Sequence, residues 1–148
     1  MVAPDAAREA LAAVVSAYDA RWSALDIAGV AELWERTRPQ PMYIGDEYAT
    51  PLVGADDLDR HWARMGSRLK HAWMSSQLQS TEVLAAGVAR CVLLTDWSFT
   101  GRESDVAHTG TSWITWFLVA RGESYRIFHH HESQVFLGAD STTPGRIW

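Results

Sequence analysis

The sequence predicts an α+β fold: a cone-shaped, curved antiparallel sheet packed on three helices that all come from the first half of the chain. Two observations carry this. Before residue 70, apolar residues recur at intervals of three and four in three separate stretches, the period of helices with one buried face. Beyond it, four stretches rich in β-branched and aromatic residues are separated by glycine-bearing turns, the pattern of long strands joined as hairpins. Elements segregated in this way bury one sheet face under the helices.

The first helix spans about residues 5 to 24, with Leu11, Val14, Val15, Tyr18 and Trp22 on one side. Asp26 then precedes "IAGVAELW", where its carboxylate can cap a second helix that buries Val30 and Trp34. That helix is short, because "TRPQP" follows it. "MYIG" and "DEYATPLVG" read as two short strands around a turn, with Pro51 marking an edge or a strand start. "ADDLDRHWARMGSRL" returns to helical spacing, and Asp56 and Asp57 suit its positive N-terminal end. The four long strands follow as a meander. The chain reads as one domain over 1–148, with a core from about residue 7 to 137. The polar tail 138–148 is expected to be loose, or to seat Ile147 and Trp148 on the body or on a second subunit.

Composition narrows the function. The net charge is −5 and there is no basic cluster, which argues against nucleic acid. No apolar run approaches the roughly 20 residues of a membrane span. The N-terminus lacks the basic start of a secretory signal, so a cytoplasmic location is expected. Cys91 stands alone among strand-like neighbours and reads as a small core residue. Eight tryptophans stand where ordinary composition gives about two. They either fill the core or also line a cavity for an apolar ligand.

Three local phrases resemble the nuclear transport factor 2-like superfamily, particularly its SnoaL-like members and the calcium/calmodulin-dependent kinase II association domain. They are "LDIAGVAELW", "YIGDEYATPLVGADDLDRHW" and "YRIFHHHES". The resemblance implies a cystatin-like α+β barrel, a homodimer formed through the open sheet, and a cavity between the concave face and the helices. Its members include isomerases, dehydratases and non-catalytic modules, so the chemistry must be read from the residues.

In "YRIFHHHESQVF", strict alternation points Ile127, His129, His131 and Ser133 one way, and Phe128, His130, Glu132 and Gln134 the other. Adjacent histidines so arranged cannot converge on one metal, and no HExxH spacing exists; no metal or cofactor is expected. The family pattern falls on His129, His131 and Ser133. They either face the cavity, with a histidine moving protons, or fix the sheet and dimer. Asp96, set in the apolar strand "LLTDWSF", is the candidate acid partner, or else a convex-face residue. Tyr18, Trp22, Trp34, Tyr43, Trp62 and Trp97 are candidate ligand-binding residues, with Trp113 or Trp116 according to the length of the turn at Gly122. His61 and His71 read as surface histidines, and Arg90 and Arg126 as candidate carboxylate binders. The expected partner is a hydrophobic, cyclic or aromatic small molecule. The expected activity is cofactor-independent isomerisation or dehydration by His/Asp proton transfer, and the alternative is a dimeric association or ligand-carrier module.

Overall fold

The computed structural model describes residues 4–136; the polar tail lies outside them. Helix α1 (Pro4–Ser23) buries Ala7, Leu11, Val14, Val15, Tyr18 and Trp22 along one face, as the spacing requires. It closes in a Schellman turn, Asp26 N donating to Arg21 O at 2.8 Å and Leu25 N to Trp22 O at 2.9 Å. Leu25 therefore takes a left-handed φ of 56°, a position usually given to glycine. Asp26 then caps helix α2 (Ile27–Glu32) by accepting from Gly29 N at 2.9 Å.

Strands β1 (Met42–Ile44) and β2 (Leu52–Val53) flank helix α3 (Ala55–Arg68) on its N-terminal side, and Pro51 stands just outside the edge strand. The long strands are β3 (Leu69–Ala85), β4 (Val88–Gly101), β5 (His108–Arg121) and β6 (Ser124–Gln134). The sheet order is β2-β1-β6-β5-β4-β3. The long strands pair antiparallel, but β1 pairs parallel to β6, Met42 opposite His129 and Ile44 opposite His131. The sheet is thus mixed, curved and unclosed rather than wholly antiparallel. No helix among the described residues is long and apolar enough to cross a membrane.

The concave face divides into two halves. In one, Ala89, Cys91 and Leu93 of β4, Trp116 and Leu118 of β5, and Tyr125 and Ile127 of β6 pack against α1 as a filled core. Burial pushes the Cys91 thiol up to about 12, leaving it inert at neutral pH. In the other half the same strands continue with Thr95, Trp97, Phe99, Ser112, Ile114, Glu132 and Gln134, and here the helices leave space.

The two-residue turn at Gly122-Glu123, with Arg121 opposite Ser124, turns Ile114 and Trp116 inward and Trp113 outward. A β-bulge then intervenes. Phe117 pairs with His129 and Leu118 with Ile127, so Phe128 is an extra residue in β6. Phe128 and His129 both lie against Phe117, at ring-centroid distances of 6.3 and 5.6 Å. Beyond the bulge the alternation is reversed: His130, Glu132 and Gln134 face inward, and His129, His131 and Ser133 face the convex side.

Candidate active site

The space left by the helices is a cavity of about 380 Å³. Met65, Leu69, Met74, Phe99 and Ile114 give it apolar walls, and Tyr18, Trp22, Tyr43 and Trp97 supply the aromatic ones. Among the described residues its ionisable lining consists of Asp46, Glu47, Glu132 and His61 besides the two tyrosines, with no lysine or arginine.

The carboxylates meet at Tyr43. The Tyr43 hydroxyl lies 2.7 Å from Glu47 Oε1 and 3.0 Å from Glu132 Oε1. One hydroxyl hydrogen serves both contacts only if one carboxyl carries a proton of its own. Burial raises the Glu47 carboxyl above its ordinary pKa, and the nearby Glu132 charge adds to this. Burial would raise Glu132 as well, but the approach of His130 and hydrogen bonds from Tyr43 and Glu47 outweigh it and hold Glu132 below its ordinary value. Of the two carboxyls on the Tyr43 hydroxyl, Glu47 is thus the one that holds a proton more readily. Burial, with the charges of Glu132 and Glu47, lifts the Tyr43 phenol well above its usual range, so it stays protonated. Asp46, at the same rim, is raised by desolvation first and then by Glu132.

Gly45 makes this junction possible. A Cβ there would collide with Glu47 Oε2 and the edge of the Tyr43 ring, so the missing side chain is the space through which the Glu47 carboxylate folds back.

Two histidines support the cluster. The ring of His130 stacks on Tyr43 at 4.6 Å and 18°, and its Nδ1 accepts from Trp116 Nε1 at 2.9 Å. An indole nitrogen only donates, so His130 is held with its proton on Nε2, which stands 3.8 Å from Glu132 Oε1. That distance is electrostatic contact rather than a hydrogen bond. His61 pairs through Nδ1 with the Tyr48 hydroxyl at 2.7 Å, and Arg64 Nη1 donates to the same oxygen at 2.8 Å. Burial, with the neighbouring His130 and Arg64, pushes His61 down to about 4, so it is neutral at pH 7.

Several expected placements change. His129 and His131 do not line the cavity, because the bulge at Phe128 turns them to the convex side with Ser133. Asp96 also lies there, exposed and accepting from Thr111 Oγ1 at 2.6 Å, so it cannot pair with a histidine inside. Trp113 is 45% exposed. Trp34, Trp62 and Trp116 are buried in the core without lining the cavity. Arg90 pairs with Glu82, and Arg126 lines a separate, open depression whose other arginines, Arg121 and Arg36, pair with Glu35 and Asp59 at 2.8 Å each. His61, expected at the surface, is 2% exposed, whereas His71 is exposed as expected. No group of three metal-ligating side chains occurs among the described residues.

Nothing in the local sequence marks a role for Glu47, Glu132, His61 or His130. The available signal was the inward phase of Glu132, hidden by the bulge; nothing local marks Glu47 as the partner of Tyr43.

No family model and no curated protein matches the sequence. Among solved structures, the chain is similar to a candidate dehydratase of the NTF2-like family from Streptomyces avermitilis, with TM-score 0.78, 14% identity, and 90% of this chain and 99% of that one covered. It is also similar to a ketosteroid isomerase-like protein from Erwinia carotovora atroseptica, with TM-score 0.71, 15% identity, and 86% and 95% covered. A candidate calcium/calmodulin-dependent kinase II association domain from Xanthomonas campestris gives TM-score 0.69 and 13% identity over 84% and 85%. The fold is therefore that of nuclear transport factor 2-like proteins, as the sequence phrases imply. A candidate dehydratase, an isomerase-like protein and a candidate association domain stand side by side among these neighbours, so the likeness is one of fold.

Proposed function

We propose that this protein is an enzyme that moves protons on an uncharged, apolar small molecule, in the class of isomerisations and dehydrations. The observation that supports it is the pair of carboxyls on one buried hydroxyl: Glu47 and Glu132 meet at Tyr43 beside an apolar cavity, with their pKa values displaced in opposite directions. Two carboxyls separated in this way supply a base and an acid at the same pH. Glu132, ionised, takes a proton from carbon; Glu47, protonated, returns one through Tyr43 to the other end of the rearranging system. A rim of carboxyls with no lysine or arginine among the described residues disfavours a negatively charged substrate. The His/Asp pair expected from the sequence has no part in this reading.

The test uses 2-tetralone, a cyclic ketone with acidic C–H bonds, in deuterated water, with loss of its α-proton signals followed by nuclear magnetic resonance. The protein should accelerate exchange over buffer, and Glu132→Gln should lower that acceleration roughly 10²- to 10⁴-fold. Exchange at the buffer rate with the unaltered protein would favour the ligand-carrier reading instead.

A second copy of the chain is also proposed, seated on the convex sheet face. Trp73 and Trp113 are 47% and 45% exposed on that face, which also carries the aromatic pair Phe117 and Phe128. Sedimentation should give twice the chain mass, and Trp113→Glu should return it to the monomer.

A further inference from the structure

The floor of the cavity, away from the carboxylates, holds a hydroxyl whose hydrogen has no acceptor. Trp97 Nε1 donates to Ser112 Oγ at 3.0 Å. That contact occupies the oxygen of Ser112 but leaves its O–H without a partner among the described residues, although Ser112 is 1% exposed. Its cross-strand neighbour differs. The Ser76 hydroxyl donates to Asp19 Oδ1 at 2.7 Å, so its oxygen receives the Thr95 hydrogen at 2.8 Å, and Thr95 has no hydrogen left to offer. Ser112 and Thr95 face each other across β4 and β5, and both line the cavity, yet only Ser112 keeps a spare donor.

The arrangement around Ser112 is built. Gly110 pairs with Trp97 across the strands, and a Cβ at Gly110 would collide with the indole, so this glycine lets the ring lie over β5 and aim its N–H at Ser112. The indole N–H bond polarises the serine O–H and strengthens it as a donor. Gln134, opposite Ser112 on β6, brings its carboxamide to the same wall. A buried hydroxyl hydrogen left unpaired is costly, and a ligand oxygen would remove that cost.

We infer that the cavity selects an uncharged apolar molecule bearing a carbonyl or comparable acceptor oxygen, which Ser112 receives as a hydrogen-bond donor with Trp97 as its positioning residue. Ser112 pairs with Gln134 and Ile114 with Glu132, so donor and carboxylate sit one inward row apart, roughly 7 Å along the strand direction. That separation suits a base acting on carbon next to the bound carbonyl. The role of Glu132 rests on the proton-transfer reading; the oxygen site does not.

The experiment compares dissociation constants for 2-tetralone and for tetralin, the same ring system without the oxygen, by ligand-observed nuclear magnetic resonance. The unaltered protein should bind the ketone about five- to tenfold more tightly, and Ser112→Ala should bring the two to parity without weakening tetralin. Should Ser112→Ala not fold, Trp97→Phe keeps an aromatic side chain there, deletes the N–H, and should reduce the preference two- to threefold. A preference absent from the unaltered protein, or retained in Ser112→Ala, would overturn the oxygen site. Glu132→Gln separates the two readings: it should keep the ketone preference and lose exchange. A retained preference with no exchange in any protein would sink the proton-transfer reading alone.

Discussion

Trp116 Nε1 donates to His130 Nδ1 across 2.9 Å in buried surroundings, and this one bond decides which edge of the histidine meets Glu132. Trp116→Phe puts a smaller phenyl ring in place of the fully buried indole and removes the donor, leaving an imidazole nitrogen unpaired. The expected loss is about 2–5 kcal/mol by chemical denaturation, from the unpaired nitrogen and the cavity together. The nitrogen chemical shifts of His130 should also move from a single Nε2–H tautomer to a mixture.

The opposed displacement of the two carboxyls predicts a bell-shaped pH profile for proton exchange. Activity should rise as Glu132 ionises, below the ordinary glutamate range, and fall as Glu47 loses its proton above that range. Glu47→Gln, which cannot ionise, should abolish the alkaline fall while the acid limb stays in place.

His61 predicts a different pH effect, on stability. Its pKa falls from 6.5 in the unfolded chain to about 4 in the fold, so the unfolded state binds more protons between those values. Stability should therefore fall as pH drops from 6.5 towards 4, by up to about 3 kcal/mol, and level off below. Glu47 and Asp46, with raised values, act in the opposite sense. The comparison of denaturation midpoints with His61→Gln at each pH isolates the histidine contribution.

Gly45→Ala places a methyl group where the Glu47 carboxylate folds back onto Tyr43. Glu47 Oε2 is a side-chain end that can move, but the Tyr43 ring edge is buried, so stability should fall by about 1–3 kcal/mol. Exchange should drop at least tenfold and lose its alkaline limb, as in Glu47→Gln.

His131→Ala and Asp96→Asn should leave exchange within twofold of the unaltered protein, since both residues face the convex side. A large loss in either would return these residues to the chemistry.

Much of the fold is legible from local patterns: the buried stripe of α1, the Asp26 cap and the meander each rest on interactions within or between neighbouring segments. The parallel pairing of β1 with β6 is not, because three residues carry too little alternation to choose a partner. The site follows the same division. Tyr18, Trp22, Tyr43 and Trp97 were reachable from helix phase and strand content. The acids were not: Glu47 arrives by the turn after β1, and Glu132 by a bulge that only the pairing with β5 reveals. His61 was misplaced because a helix of alternating charge hides which flank a neighbouring strand will cover.

The extra residue at Phe128 works as a frameshift in space. Upstream of it β6 presents odd-numbered residues to the interior, and downstream even-numbered ones. Regular pairing of the same residues without the bulge would put Glu132 and Gln134 outside, whereas deleting Phe128 would straighten the strand and leave them inward. The lining of this cavity is thus set less by the histidine run than by the bulge leading into it. Relatives should be aligned with a gap permitted at that position, since an ungapped match of the three histidines would equate residues on opposite faces of the sheet.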